Sequence, residues 1–508
     1  MYAQNHLAQG LRAGSAGRED AVFIDAPHSG LSLTYRDFFA NAKRMAAALV
    51  RAGVRPGDRV AVQVPKTVEM LELYVGCVLA GAVLLPLNPA YTDDEMAYFL
   101  ADAEPALLVC DPARQAGLAP IARRHGARAV LTVDATGAGS LRDARDAQTP
   151  GFEPLPRGPE DLAAILYTSG TTGRSKGAML SHRALRSNSE TLRDVWRFTE
   201  TDVLIHALPI FHTHGLFVAT NVAMMAGAQM IFLPRFDAAE VVAHMPRATA
   251  LMGVPTFYVR LLEEPGLAEA ARSMRLFISG SAPLLPETHR RFEKLTGLAI
   301  LERYGMTETN MNTSNPHDGE RRPGTVGFPL PGVELRITRP GSDEALPPGE
   351  AGMIEVRGPN LFSGYWRMPE KTAEEMRADG WFITGDLGRI GADGYVEIVG
   401  RAKDLVISGG FNIYPREIEE IIDALPGVAE SAVIGVPHPD LGEAVVAVVV
   451  PEADAQLDTD ALAAAIAPRL ARFKQPRAWV IAPELPRNTM GKVQKAELRR
   501  THSGLFAR

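Results

Sequence analysis

The chain has 508 residues, 46% of them hydrophobic and 22% charged, enough for two or more domains with cores of their own. Its 53 basic and 60 acidic side chains leave a net charge of −7, which argues against a general nucleic-acid binder and leaves room only for a local basic groove around a phosphorylated ligand. Cys77 and Cys110 stand in apolar runs and read as buried free thiols of a reducing compartment; the start, MYAQNHLAQGLRAG, lacks the apolar core of a secretory signal, and a cytoplasmic location is expected.

Between about residues 30 and 330, short β-rich runs alternate with longer amphipathic ones, the pattern of βα units around a largely parallel sheet. Residues 60–64 read as a strand and 68–82 as the helix after it. Residues 163–167 form another strand, which leads through a glycine loop to a strand at 178–180 and a helix capped by Ser181. Further strands are expected at 203–208, 230–233, 250–253 and 276–279, with helices after Pro255 and Pro286, where proline suits a first turn. From about Gly324 the texture changes to strands and tight turns, a smaller β-rich subdomain. Beyond GRAKDLVISGGFNIYP, residues 404–508 hold two helix–strand alternations. The expected fold is α/β: a large N-terminal domain over 1–402 and a small, mobile α+β lid over 403–508.

In such folds ligands collect at the carboxyl ends of strands, and the polar motifs fall there. The run YTSGTTGRSKG at 167–177 can turn the amides of Gly170, Gly173 and Gly177 inward, while Thr168, Ser169, Thr171, Thr172 and Lys176 add donors, a composition made for a polyphosphate. It is not the usual P-loop, because Gly170 and Gly173 are too close and Lys176 is followed by Gly177 rather than Ser or Thr. Alone, Asp386 would read as a turn residue and Lys492 as a surface lysine. They do not stand alone. YGMTETN at 304–310, WFITGDLGRI at 381–390, GRAKD at 400–404, SGGFNIYP at 408–415 and PRNTMGKVQK at 486–495 follow the loop in order.

Together these six segments resemble the signatures of the adenylate-forming acyl-CoA synthetase superfamily, and the resemblance covers essentially the whole chain from about residue 20. It implies an acid–thiol ligase that uses ATP, Mg²⁺ and coenzyme A, first making an acyl-adenylate and then a thioester. Ser169, Gly170, Thr171, Thr172 and Lys176 would wrap the β- and γ-phosphates, with Thr168 and Glu308 holding Mg²⁺. Asp386 would accept the ribose hydroxyls, Tyr304 would pack on adenine, Ser281, Ala282, Pro283, Glu302 and Arg303 would line its edge, and Thr307 would face the α-phosphate. Arg401 would reach the ribose and phosphate, and Lys403 would be the hinge. Lys492 would bridge the acid carboxylate and the α-phosphate, then withdraw as the lid turns Ser408, Gly409 and Gly410 toward pantetheine. Acetylation of Lys492 by a protein acetyltransferase, reversed by a deacetylase, would remove that charge.

Over 206–221 and 279–312 the resemblance is to the malonyl-CoA synthetase branch, which implies malonate as substrate and methylmalonate as a secondary one. A buried dicarboxylate needs a cation. The resemblance selects Arg290, with His212 and Ser281 as donors, whereas periodicity places Arg290 opposite the stripe Thr288, Phe292 and Leu295 and so in solvent. Arg291 and His214 stand as rivals. Other readings are a ligase for another short or medium acid, an amino-acid adenylation domain, disfavoured because no aspartate lies between 212 and 221, and a nucleotide-binding regulator without turnover.

Overall fold

The computed structural model describes residues 2–168, 175–408, 411–488 and 491–506. Two large sheets dominate. In one, six strands run in the order Ala129–Thr132, Leu107–Cys110, Arg59–Gln63, Val83–Pro86, Leu162–Thr168, Lys176–Ser181, all parallel until the last, which is antiparallel to its neighbour. Thr168 and Lys176, which flank the glycine run in sequence, pair at one end of this hairpin. Ser181 caps the next helix, His182–Val195, by accepting from the Ala184 amide at 3.1 Å, as the sequence leads one to expect.

The second sheet has nine strands, and its six central ones are parallel, from Leu301–Met306 through Leu276–Ser279, Ala250–Gly253, Val203–His206 and Gln229–Phe232 to Val22–Ala26. Short parallel strands with apolar side chains on both faces, such as Leu276–Ser279, are buried throughout. The helix Val68–Ala80 is likewise buried on every face, within the core shared by the two sheets. Antiparallel strands Glu334–Thr338, Gly352–Arg357, Phe382–Ile390 and Val396–Arg401 make the expected β-rich subdomain.

The fourth sheet uses only strands after Leu405. Its centre is a hairpin of Val428–His438 with Gly442–Pro451, the latter flanked by a parallel strand at Ala478–Ile481. The simple helix–strand alternation expected for this region omits Gly442–Pro451. That strand is apolar at nearly every position because Val445, Ala447 and Val449 serve one core and Val446, Val448 and Val450 the other. In the helix Pro286–Thr296, Thr288, His289 and Phe292 face inward, while Leu295 is 44% exposed, so the apolar stripe is shifted from the one expected. No helix among the described residues is long and apolar enough to cross a membrane.

Candidate active site

Strand ends from both large sheets and the β-rich subdomain converge on one cleft. At the first end lies Asp386, on Phe382–Ile390. Its Oδ2 accepts the Tyr304 hydroxyl at 2.6 Å and its Oδ1 lies 2.7 Å from Arg401 Nε. Burial, reinforced by this carboxylate, pushes the Tyr304 hydroxyl far above its ordinary pKa, and Asp386 raises that of Arg401. Each carboxylate oxygen keeps a lone pair for a further donor, such as a diol. Ala282 is half-buried and Pro283 exposed in the loop after Leu276–Ser279. Glu302 faces away, 3.3 Å from His289, so an adenine contact from this residue would have to come from its backbone.

The second end is built for anions and a hard cation. Thr168 Oγ1 lies 3.5 Å from Glu308 Oε1, and Tyr365 donates to the same oxygen at 3.0 Å. Burial lifts the Glu308 carboxyl above its usual range, against the lowering effect of its hydrogen bonds and of Lys176 and Arg401. Two oxygen donors fit Mg²⁺, which takes one or two protein ligands and completes its shell with phosphate and water. Lys176 Nζ lies 3.0 Å from Glu375 and 4.0 Å from the centre of the Tyr365 ring. Thr307 is half-buried in the turn beside Glu308. Ser169, Gly170, Thr171 and Thr172 lie outside the described residues, as do Gly409 and Gly410; Ser408, next to the latter, is buried.

The third end carries the surprise. Arg290 projects from the outer face of its helix, 64% exposed, with Glu287 at 3.9 Å; Arg291 is 57% exposed, with Glu263 at 3.6 Å. The helix turns both arginines to solvent, as periodicity implies for Arg290, so neither is placed to meet a buried carboxylate. Arg303 is instead 4% exposed, and its Nε and Nη2 have no hydrogen-bond partner. The pleat of Leu301–Met306 sends it to the face opposite Glu302 and Tyr304. Its guanidinium lies over the backbone of Gly280, where a Cβ would come within 2.4 Å of Cζ, so only glycine admits it. Burial pushes its pKa down to about 9, the signature of a cation awaiting an anion.

His212 and His214 lie within electrostatic reach of Arg303; burial first, then Lys492 and Arg303 for His212 and Arg303 for His214, drives both imidazoles well below their ordinary pKa. Neutral at pH 7, they can donate to an anion without adding charge. His214 Nδ1 is 3.2 Å from the Ser281 hydroxyl, its Nε2 has no partner, and His212 Nδ1 has none either. His214 opens a π-helical turn, His214–Ala219, and Ser281 sits at φ +71°, a strained conformation for serine of the kind functional sites hold.

Lys492 comes from the fourth sheet's domain. Asn488 fixes its loop, accepting from the Lys492 amide at 3.0 Å. The side chain remains solvent-accessible because the cleft is open, yet protein crowds it on most sides. That crowding, then repulsion from Arg401, lowers its pKa; Asp386, Arg303 and Glu308 act on it too, and it in turn lowers His212. Nucleotide, phosphate and acid ends thus share one lysine. Lys403 lies exposed in the turn Ala402–Asp404, just before the first strand of the fourth sheet. Tyr365 and Glu375 lie in no motif; the resemblance places Arg303 at the adenine edge, whereas strand alternation turns it to the face opposite Tyr304.

Residues 11–366 match the AMP-binding enzyme family and 417–492 the AMP-binding enzyme C-terminal domain. The ATP-bound crystal structure of MatB from Rhodopseudomonas palustris is 57% identical, with each chain fully covered and a TM-score of 0.97; the apo structure of that protein gives 0.86. Feruloyl-CoA synthase of Amycolatopsis sp. is 38% identical over 479 residues, 93% of this chain and 94% of its own length. Malonate–CoA ligase of Arabidopsis thaliana is 35% identical over 482 residues, covering 88% and 79%. With both domains matched and Tyr304, Glu308, Asp386, Arg401 and Lys492 standing around one cleft, the chain belongs to the AMP-binding enzyme family.

Proposed function

We propose that the protein ligates malonate to coenzyme A at the expense of ATP, through a malonyl-adenylate, releasing pyrophosphate and AMP. The observation that carries the substrate is Arg303: a buried guanidinium with two unpartnered nitrogens, flanked by neutral histidines, fits a distal carboxylate and nothing in an aliphatic chain. The likeness to MatB and to malonate–CoA ligase supports the same reading. In this reading Arg303 takes the role that the resemblance gives Arg290, and His214 joins His212 and Ser281 as donors.

In the first half-reaction Lys492 neutralises the reacting carboxylate and the α-phosphate so that they can approach, Thr307 faces that phosphate, and Lys176 exchanges Glu375 for phosphate oxygens. Mg²⁺, when bound at Thr168 and Glu308, supplies charge neutralisation for the leaving pyrophosphate. Asp386 orients the ribose. Asp386→Asn, which keeps the shape and loses the charge, is expected to raise the KM for ATP about tenfold, from charged hydrogen bonds worth ~1.5–3 kcal/mol, with little change in the KM for malonate. An unchanged ATP KM would remove Asp386 from the nucleotide site.

We further assign residues 1–402 to the nucleotide- and acid-binding domain and 403–508 to a lid that turns about Lys403 for the second half-reaction, bringing Ser408–Gly410 to the thiol's approach. Acetylation of Lys492 would block the first. Two buried free thiols, and ATP and CoA as cosubstrates, favour the cytoplasm.

The test is a panel of acetate, butyrate, malonate, methylmalonate, succinate and octanoate scored by CoA-dependent AMP formation. Malonate is expected to exceed acetate by about 10⁴ in kcat/KM, since acetate leaves the buried guanidinium unpaired, while methylmalonate differs by one methyl, ~1–3 kcal/mol. Comparable values for malonate, acetate and butyrate would refute the diacid site.

A further inference from the structure

Beyond the segment that ends at His212 lies a cavity of about 300 Å³ to which the roles above give no function. Most of its wall is apolar: Met70, Phe211, Phe236 and Phe257 contribute, the last two stacked with centroids 3.7 Å apart. It borders the active cleft. Phe211 adjoins His212, which feels the charge of Lys492, and Phe257 adjoins Thr256, 3.9 Å from where a Cβ on Gly491 would sit. Into this apolar space project two cationic side chains, Lys66 and Arg235.

Lys66 is held with unusual definition. Its Nζ donates to the His206 carbonyl at 2.8 Å and lies 3.0 Å from His206 Nδ1. His206 Nε2 is 2.9 Å from the Gly215 carbonyl, which can only accept, so Nε2 bears the ring proton and Nδ1 accepts from Lys66. Two of the amine's positions are thereby fixed as donors. The remaining one holds either a third proton or a lone pair. Burial, with no carboxylate acting on it among the described residues, lowers the Lys66 pKa strongly. The residue also immediately precedes Thr67, the N-cap of Val68–Ala80, whose amide end repels a cation. His206 and Arg235 are the titratable neighbours around the cavity; the face of Phe232, 4.4 Å from Nζ, favours the ammonium, more weakly than burial opposes it.

We propose that Lys66 is the base for the thioester step, accepting the proton of a CoA thiol that enters through this cavity. The assignment rests on the ligase reading above. The S–H bond breaks with its proton going to Lys66 Nζ, the sulfur bonds to the acyl carbon, and the carbon–oxygen bond to phosphate breaks, so that AMP leaves with the electron pair. Lys66 then returns the proton to water. An apolar wall suits an uncharged thiol and keeps water from the acyl-adenylate, and a neutral amine matches a thiol whose pKa is about 8.5.

The experiment separates the half-reactions in the full-length enzyme. Lys66→Met removes the amine, and Lys66→Gln keeps a donor for the His206 carbonyl while removing the base. For both, malonate-dependent ATP–pyrophosphate exchange should stay within about twofold of the parent, whereas single-turnover thioester formation from supplied malonyl-adenylate should fall about 10²–10³-fold at pH 7. Between pH 7 and 9 that deficit should shrink by roughly 25-fold in all as CoA, with a thiol pKa of about 8.5, ionises unaided. Parental thioester formation with an unchanged pH profile in Lys66→Gln would overturn the assignment, and so would equal loss of both half-reactions at every pH, the mark of a packing role. A parent enzyme that exchanges no pyrophosphate with malonate would overturn the ligase reading itself, and this base with it.

Discussion

Lys492→Ala should lower malonate-dependent pyrophosphate exchange about 10³-fold while leaving thioester formation from supplied malonyl-adenylate within about twofold. The size follows from charge. A carboxylate attacking an α-phosphate brings two anions together; an ammonium about 4 Å from each offsets this by ~4 kcal/mol at an effective dielectric of ~20, about three decades in rate. Lys492 is placed for that act, since it stands in reach of Asp386, Arg401, Glu308 and Arg303 at once. Its depressed pKa fits an ammonium among cations before substrate arrives; two anions bound beside it would raise that pKa and hold the charge in place. The asymmetry between half-reactions carries the argument. In the second step the carboxylate is already an acyl-adenylate, one negative charge is gone, and the proposed turn of the lid withdraws Lys492. Equal loss in both steps would mean that the lysine merely supports the fold. Lys492→Arg should rescue little, because a planar fork cannot replace a compact charge between two anions.

Much of this was legible in the chain before any geometry. Parallel strands and their helices could be placed because short apolar runs alternate with amphipathic ones and because Ser181, Pro255 and Pro286 punctuate helix starts. One cluster was legible for a different reason: Asp386, Arg401 and Tyr304 each sit in a fixed motif, and the fold brings Tyr304 and Arg401 each within 2.7 Å of Asp386. The acid end was not. Arg290 was chosen by resemblance against the helical period, and the period was right. What decides a specificity pocket is which side of a strand a residue faces and whether its polar atoms are left unpaired. Neither is visible in a motif: Arg303 lies beside Tyr304 in sequence and faces the other side of the strand. Tyr365, Glu375 and Lys66 show the same limit, each reaching its partner across many residues of chain.

Exchanging Arg303 for methionine tests the pocket most sharply. Methionine fills similar volume beneath Gly280 without charge, and replacing a buried, unpaired cation with an apolar side chain is neutral or stabilising, so the melting temperature should hold or rise. Substrate choice should not hold. Removing one partner of a buried ion pair costs about 3–5 kcal/mol, so kcat/KM for malonate should fall by roughly 10²–10⁴. For butyrate, similar in length and apolar at its far end, kcat/KM should rise, since a desolvated guanidinium no longer opposes it. The two changes in opposite directions distinguish lost recognition from a damaged enzyme, in which every acid would suffer. Arg290→Ala is the counterpart: a side chain 64% exposed and 3.9 Å from Glu287 should alter malonate kinetics less than about twofold, as expected for an exposed pair. If malonate turnover instead survives Arg303→Met and collapses in Arg290→Ala, the distal carboxylate is held from the helix, and the orphaned guanidinium under Gly280 has another purpose.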